Sequence, residues 1–83
     1  MKSETSIYEQ VKDLLITNLQ IDEKLITPQA ELVNDLGINS LELADLVLLC
    51  EEKYGTEIDD KTISRFITVD DVVRYLETLS AQK

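Results

Sequence analysis

Three stretches of the chain carry apolar residues at the spacing of an amphipathic α-helix. They run from about Thr5 to Leu19, from about Ser40 to Tyr54, and from Thr68 onward. Apolar residues three or four positions apart lie on one face of a helix and can share one core. With two glycines and one proline among 83 residues, the chain has too few turn-forming residues for a fold of strands joined by tight turns. The pattern therefore predicts an all-α domain.

The segments between these helices complete the prediction of one domain over residues 1–83. A long connection runs from Gln20 to Ile38, and a short segment from Asp60 to Arg65 is expected to form one or two helical turns. The apolar residues that we expect to hold the long loop on the core are Ile21, Leu25, Ile26, Leu32, Val33 and Leu36. We expect a small four-helix bundle of three main helices and one short helix, with a long first loop.

Two of the helices begin with sequence signals for a cap. Ser6 with Glu9 forms a candidate capping box at the first helix, although Ser3 could be the cap instead. Thr68 with Asp71 forms a candidate capping box at the last helix. These pairs set the expected starts of the two helices.

The chain is strongly acidic, with 17 acidic and 8 basic side chains and a net charge of −9. Such a charge repels nucleic acid and anionic membranes and attracts partners with basic patches. The alternative is that the charge only keeps a small protein in solution. The position of the acids along the chain favours the first interpretation.

Other features predict a soluble cytoplasmic protein, and we expect it to be a monomer. The single cysteine, Cys50, cannot form an internal disulfide, which suits a reducing compartment. No stretch approaches the roughly 20 apolar residues that cross a bilayer, and the N-terminal residues resemble neither a signal peptide nor a transit peptide. We therefore expect no membrane insertion.

A serine, Ser40, stands at the expected start of the second helix. A serine hydroxyl becomes a good nucleophile only when a base takes its proton, and histidine is the usual base. The chain contains no histidine. It also contains no catalytic pair, no cluster of metal ligands and no glycine-rich phosphate loop. We predict that Ser40 is the substrate of another protein, that the chain has no catalytic residues or metal site of its own, and that it is not an enzyme.

Asn39 and Ser40 are both suitable N-caps for the second helix, and Asn39 also fits a capping box with Glu42. One interpretation of Ser40 is that it caps the helix and has no other role. The other is functional, because the free N–H groups at a helix N-terminus favour an attached or bound phosphate. Gly37 would allow a tight turn and the close approach of another protein.

A helical wheel of the second helix separates two faces. The expected core stripe consists of Leu43, Leu46, Val47, Cys50 and Tyr54. The opposite side carries Glu42, Asp45 and Glu52, with Glu51 on the flank, and Leu41 and Leu48 lie among these acids. Acids around exposed leucines indicate a docking surface for a partner with a basic patch. The alternative is that the long loop or the short third segment covers the two leucines.

Residues 35–41, with the sequence Asp-Leu-Gly-Ile-Asn-Ser-Leu, resemble the phosphopantetheine attachment motif of acyl carrier proteins. In that motif Asp-Leu-Gly is followed by a short x-Asp-Ser-Leu. The segments 30–34, 51–58 and 66–69 are also similar to the corresponding segments of the family. The resemblance covers nearly the whole chain in register.

The resemblance implies a four-helix carrier fold with 4′-phosphopantetheine attached to Ser40, and with Asp35, Gly37 and Asn39 as neighbouring residues of the motif. A separate Mg²⁺-dependent phosphopantetheinyl transferase would transfer the group from coenzyme A and would supply the missing base and metal. The terminal thiol of the arm would then carry acyl groups as thioesters. The partners implied are that transferase and acyl-transferring, condensing or acyl-activating enzymes with basic patches.

The resemblance also implies two sets of residues with further roles. The partner-binding surface would consist of Leu41, Glu42, Ala44, Asp45, Leu48 and Glu52. The candidates to line an apolar cleft for the acyl chain are Leu46, Val47, Ile58, Ile63 and Phe66. For these five residues, ordinary core packing in the unloaded protein is the alternative. Cys50 lies on the core stripe and is expected to be a buried structural cysteine.

The sequence departs from the family pattern at Asn39, where the family usually has aspartate. The substitution removes a charge close to the incoming metal and transferase, so we expect slower modification or a different transferase. Arg65 and Arg74 reduce the acidity of the C-terminal half. Both departures favour a specialised carrier over the housekeeping carrier of fatty-acid synthesis.

Three functions remain open from the sequence. The first is an acyl carrier of fatty-acid, polyketide or related lipid biosynthesis. The second is a carrier of aminoacyl or peptidyl groups, although such carriers more often show a Gly-Gly-x-Ser core and weaker charge. The third is an unmodified acidic adaptor that uses the second helix only to bind other proteins.

Overall fold

The computed structural model describes residues 6–81, and its regular elements there are helical. The four α-helices are α1 (Ile7–Leu19), α2 (Ser40–Tyr54), α3 (Asp60–Ile63) and α4 (Val69–Ala81). A single 3-10 turn, Glu23–Leu25, lies within the loop between α1 and α2. Among the described residues the only strand-like pairing is an isolated bridge between Glu31 and Thr68. The predicted bundle of three main helices and one short helix is confirmed.

The helix starts follow the predicted cap signals. Helix α1 begins at Ile7 because Ser6 is extended and its side chain accepts a hydrogen bond from the Glu9 N–H group. The predicted start at Thr5 and the alternative cap Ser3 lie outside the described residues. At α4, the Thr68 hydroxyl accepts from the Asp71 N–H group, and the Asp71 carboxylate accepts from the Thr68 N–H group.

The short third helix is shorter than predicted. The sequence suggests helix from Asp60 to Arg65, but α3 ends at Ile63, with Ser64 as its C-cap. Its start is fixed by Asp59, whose carboxylate accepts from the Thr62 N–H group at 2.8 Å. Because only four residues are helical, α3 depends on packing rather than on its own helical hydrogen bonds.

One core joins the helices and the long loop. Helix α1 packs against both α2 and α4, and it buries Val11 and Leu15 between them. The expected stripe on α2 is confirmed, with Leu46, Val47 and Cys50 buried and with Leu43 and Tyr54 partly buried against the core. Helix α4 contributes Val69, Val72, Val73 and Leu76. The loops contribute Ile26, Ala30, Leu32, Leu36, Ile38, Ile58 and Phe66.

The long loop is held by its apolar residues, as predicted, except at two positions. Leu25 and Val33 are 49% and 58% exposed, so the prediction that they hold the loop on the core is wrong. Leu25 ends the 3-10 turn, and the next residue, Ile26, takes the inward position. Val33 lies in the tight turn that follows buried Leu32, where successive side chains point in different directions.

Backbone hydrogen bonds tie the loop to the start of α4. The Leu32 N–H group donates to the Ile67 carbonyl at 2.8 Å, and the Val69 N–H group donates to the Ala30 carbonyl at 3.0 Å. The Asp70 N–H group donates to the Pro28 carbonyl at 2.9 Å. The segment that leads into α2 is therefore fixed by the α3–α4 connection as well as by its own turns.

The capping carboxylate of Asp71 predicts a pH dependence of stability. Hydrogen bonds from the backbone N–H groups of Thr68 and Ile67 hold the pKa of Asp71 below its ordinary value. A lowered carboxylate pKa stabilises the fold above the unfolded pKa, and this contribution is lost as the pH falls through the folded pKa. In urea denaturation between about pH 5 and pH 2, Asp71→Asn should therefore lose less stability than the wild type. An equal loss of stability with falling pH in both proteins would contradict the stabilising role of the Asp71 carboxylate.

Candidate functional site

The start of α2 is built by a reciprocal pair of hydrogen bonds. The side-chain oxygen of Asn39 accepts from the Glu42 N–H group at 2.8 Å, and the Glu42 carboxylate accepts from the Asn39 N–H group at 3.1 Å. Asn39 is extended, with φ −90° and ψ 178°, and is the N-cap. The interpretation of Ser40 as the helix cap is therefore wrong, because Asn39 holds that position.

Ser40 is the first helical residue of α2, and its side chain is exposed. Among the described residues its hydroxyl has no hydrogen-bond partner, since the capping bonds join Asn39 and Glu42. The Ser40 and Leu41 N–H groups belong to the first turn, where no partner exists within the helix. An anionic group on the Ser40 oxygen would meet free N–H donors and the positive end of the helix dipole. The residues present fit an attached phosphodiester.

The turn before the helix depends on Asp35 and Gly37. The Asp35 carboxylate accepts from the Glu31 N–H group at 2.7 Å and closes the turn. Gly37 has φ +71°, a left-handed conformation that strains residues with a Cβ atom. The next residue, Ile38, is buried, and its N–H group donates to the Leu32 carbonyl at 3.0 Å. Asp35, Gly37 and Ile38 thus present Asn39 and Ser40 at the surface on a fixed turn.

The outer side of α2 is open to solvent. Leu41 is 78% exposed and Leu48 is 54% exposed, so the alternative that other segments cover them is wrong. Ala44, Asp45 and Glu52 are also exposed, whereas Glu42 is half-buried because of its capping bond. Glu51 turns away toward the α2–α3 connection and accepts from the Ile58 N–H group at 2.7 Å. Five of the six residues of the predicted partner surface are therefore exposed on α2, and the sixth, Glu42, is half-buried.

Comparisons with known proteins agree with this arrangement. The family described as phosphopantetheine attachment site matches residues 9–76, which is most of the chain. An acyl carrier protein of Thermotoga maritima is 39% identical over 77 residues, covering 93% of this chain and 95% of that protein. Two acyl carrier proteins of Helicobacter pylori strains are 38% and 39% identical over 72 residues, covering 87% of this chain and 92% of each relative. This chain belongs to the acyl carrier protein family. The prosthetic group of this family is 4′-phosphopantetheine.

The residues suggested to line the acyl cleft of this carrier lie in or against the core. Leu46, Val47, Ile58 and Phe66 are buried and Ile63 is partly buried, so all five pack in the unloaded protein. Phe66 also lines a surface depression of about 360 Å³, together with Thr62, Arg65, Asp71 and Tyr75. The rings of Phe66 and Tyr75 lie 5.8 Å apart between centroids. A cleft formed by these five residues remains a prediction about the loaded state.

Cys50 is buried in the core of the carrier, and we expect its thiol to be unreactive. Burial, with a smaller contribution from the charge of Glu51, raises the pKa of the Cys50 thiol to about 11. Only the thiolate attacks electrophiles, so Cys50 should be unreactive at neutral pH. We predict that iodoacetamide at about pH 8 leaves the native unmodified protein unlabelled and labels one thiol after unfolding. Fast labelling of the native protein, seen by intact mass, would contradict the assigned burial.

The structure adds contacts that the sequence did not predict. The bridge between Glu31 and Thr68, and the bond from Ile58 to Glu51, join segments that are far apart in the chain or separated by a turn. Only the hydrogen bond from the Glu31 N–H group to Asp35 has a local signal in the sequence, because an acidic side chain can accept from the N–H group of a residue four positions earlier.

Among the described residues, no helix is long and apolar enough to cross a bilayer.

Proposed function

We propose that Ser40 carries 4′-phosphopantetheine and that the protein conveys acyl intermediates as thioesters in fatty-acid, polyketide or related lipid biosynthesis. The observation that carries the proposal is the exposed Ser40 hydroxyl, which the Asn39 cap leaves free, inside the segment that matches the attachment-site family. The arm supplies a terminal thiol that holds each acyl group. The carrier itself supplies position rather than catalysis.

The residues around Ser40 support its role as an acceptor. Its oxygen would form a new bond to the pyrophosphate phosphorus of coenzyme A that bears the pantetheine, the bond from that phosphorus to the bridging oxygen would break, and adenosine 3′,5′-bisphosphate would leave. The proton of the hydroxyl would go to a base of the transferase, because the chain contains no histidine and no described residue accepts a hydrogen bond from this hydroxyl. The Ser40 and Leu41 N–H groups would then stabilise the negative charge of the phosphodiester. Asn39 keeps these groups in place because it fixes the first turn of the helix.

The outer side of α2 supports the proposed partners. Asp45 and Glu52 lie about one helical turn before and after exposed Leu48, and Leu41 lies next to Ser40. Charges on such a surface speed up encounter with basic patches, while the leucines provide apolar contact. We infer that the phosphopantetheinyl transferase and enzymes that transfer, condense or activate acyl groups bind here. A net charge of −9 opposes association between copies of the chain.

The acyl group that the native protein carries as a thioester identifies the pathway. Protein purified from its own cells should release a fatty or polyketide acyl group when hydroxylamine cleaves the thioester, and mass spectrometry identifies the hydroxamate. Release of an amino acid would instead support an aminoacyl or peptidyl carrier. A native protein without the prosthetic group, which no transferase modifies, would support an unmodified adaptor.

Asn39 offers a test of how the transferase recognises the site. Asparagine and aspartate are equally good N-caps, so Asn39→Asp should keep the fold. The added charge restores the residue that the family usually has, and we expect several-fold faster labelling of Ser40 by a Mg²⁺-dependent transferase. Gln29→Glu, at an exposed position in the loop, adds the same charge as a control. Labelling that is no faster in Asn39→Asp than in Gln29→Glu would refute the role of this position.

A further inference from the structure

A groove of about 270 Å³ lies between the C-terminal end of α1 and the outer side of α2. The residues that line it are Asn18, Leu19, Asp45, Leu48, Leu49 and Glu52. Three of them are leucines, and Leu48 is 54% exposed. A water molecule takes up about 30 Å³ in the liquid, so the groove has room for one large apolar side chain. It is an apolar recess on a helix face that is otherwise acidic.

The charges of the groove indicate what kind of side chain can bind in it. Asp45 and Glu52 are its charged lining residues, and none of the six is basic. Lys53, the cation next to them in the sequence, lines a different depression with Glu9, Gln10, Asp13 and Leu14. A second copy of this acidic chain would therefore be repelled. An apolar side chain flanked by lysine or arginine matches both the leucines and the carboxylates.

The groove lies within reach of any enzyme that acts on Ser40. Leu48 follows Ser40 by eight residues on α2, or about 12 Å along the helix axis. A typical protein partner covers roughly 800 Å² of each surface, which is much wider than this separation requires. An enzyme that places its active site over Ser40 and extends along α2 would therefore also cover the groove.

We propose that the enzymes acting at Ser40 place one large apolar side chain, flanked by lysine or arginine, in this groove. Their recognition surface then includes Asn18 and Leu19 of α1 in addition to α2. This inference rests on the proposed carrier function and extends it, because the sequence assigned docking to α2 alone. Asn18 and Leu19 form one wall of the groove, so a change there alters docking while every residue of α2, including Ser40 itself, is kept.

Two arginine variants of neighbouring residues test the groove. Asn18 and Thr17 are both exposed on α1, but only Asn18 lines the groove. Asn18→Arg places a positive, bulky side chain where the basic and apolar groups of the enzyme would dock. Thr17→Arg makes the same change of net charge outside the groove. The readout is the KM and kcat of a phosphopantetheinyl transferase for each unmodified carrier, with coenzyme A as donor.

We expect Asn18→Arg to raise KM by about tenfold or more with little change in kcat. Thr17→Arg should cause a smaller rise, from weaker long-range attraction alone. Equal KM values for the two variants would overturn the groove as a docking site. Circular dichroism shows whether both variants keep the helical fold, and methyl NMR of the wild type provides a second readout. Adding the transferase should shift Leu19 together with Leu48, and a shift of Leu48 alone would also overturn the inference.

In this experiment, a failure of the proposed carrier function can be distinguished from a failure of the groove. If the wild type is never labelled, the proposed attachment at Ser40 fails. If the wild type is labelled normally and the two arginine variants behave alike, only the groove fails.

Discussion

Replacing Ser40 by alanine should abolish the addition of phosphopantetheine completely. The alanine lacks the oxygen that forms the bond to phosphorus, so no labelling by coenzyme A and a phosphopantetheinyl transferase should remain. The fold should persist, because the Ser40 hydroxyl makes no hydrogen bond to the described residues and the cap is held by Asn39. Intact mass measures the labelling. The free energy of unfolding, followed by thermal denaturation, should change by less than about 0.5 kcal/mol.

Ser64→Ala provides the matched control for this experiment. Ser64 is also exposed and also lies at a helix end, where it caps the C-terminus of α3 and donates to the Lys61 carbonyl. The control protein should be labelled to the same extent as the wild type. Undiminished labelling of Ser40→Ala would remove Ser40 from the proposed function. Loss of labelling in both variants would point to damage of the fold or of the docking surface.

Replacing Leu15 by alanine should destabilise the protein more than any change at its surface. Leu15 is completely buried and lies on the side of α1 that packs between α2 and α4. Leucine-to-alanine changes in cores cost about 2–5 kcal/mol, because apolar contact is lost and a cavity remains. Small domains have total stabilities near the lower end of about 5–15 kcal/mol. Urea denaturation followed by circular dichroism should therefore show a partly unfolded population or a greatly reduced midpoint.

Leu25→Ala is the control because it removes the same atoms from a side chain that is 49% exposed. Its effect should be well under half that of Leu15→Ala. Equal midpoints for the two variants would contradict the placement of α1 in the core. The Ser40 site would share the loss, since α2 packs on α1 and its first turn depends on that support.

Local signals in the sequence predicted the helix bounds well where the signals were complete. Helix α2 runs from Ser40 to Tyr54 as predicted, because the Asn39–Glu42 capping box starts it and Gly55 ends it in a left-handed conformation with φ +63°. The box of Thr68 and Asp71 fixed α4 in the same way. The choice between Asn39 and Ser40 as the cap could not be made from residue type, because both have suitable side chains and only the backbone conformation decides.

The features that could not be predicted depend on contacts between distant segments or on the conformation of irregular turns. Nothing in the residues near Glu31 indicates that it pairs with Thr68, since the pairing is set by how the loop closes over the core. The apolar character of Leu25 and Val33 predicts inward positions, but the turns around them decide which neighbour is buried. The groove beside Leu48 was also not predicted, because a helical wheel describes one helix and the second wall belongs to α1.

Peptide mapping of the protein from its own cells tests the central claim most directly. Trypsin cuts after Lys24 and Lys53, and the peptide of residues 25–53 contains Ser40 as its only serine. We expect the mass of a phosphopantetheine group on this peptide, with fragment ions that place it on Ser40. An unmodified peptide, both in the native protein and after incubation with coenzyme A and a transferase, would contradict the carrier function, as would a group attached to any other residue.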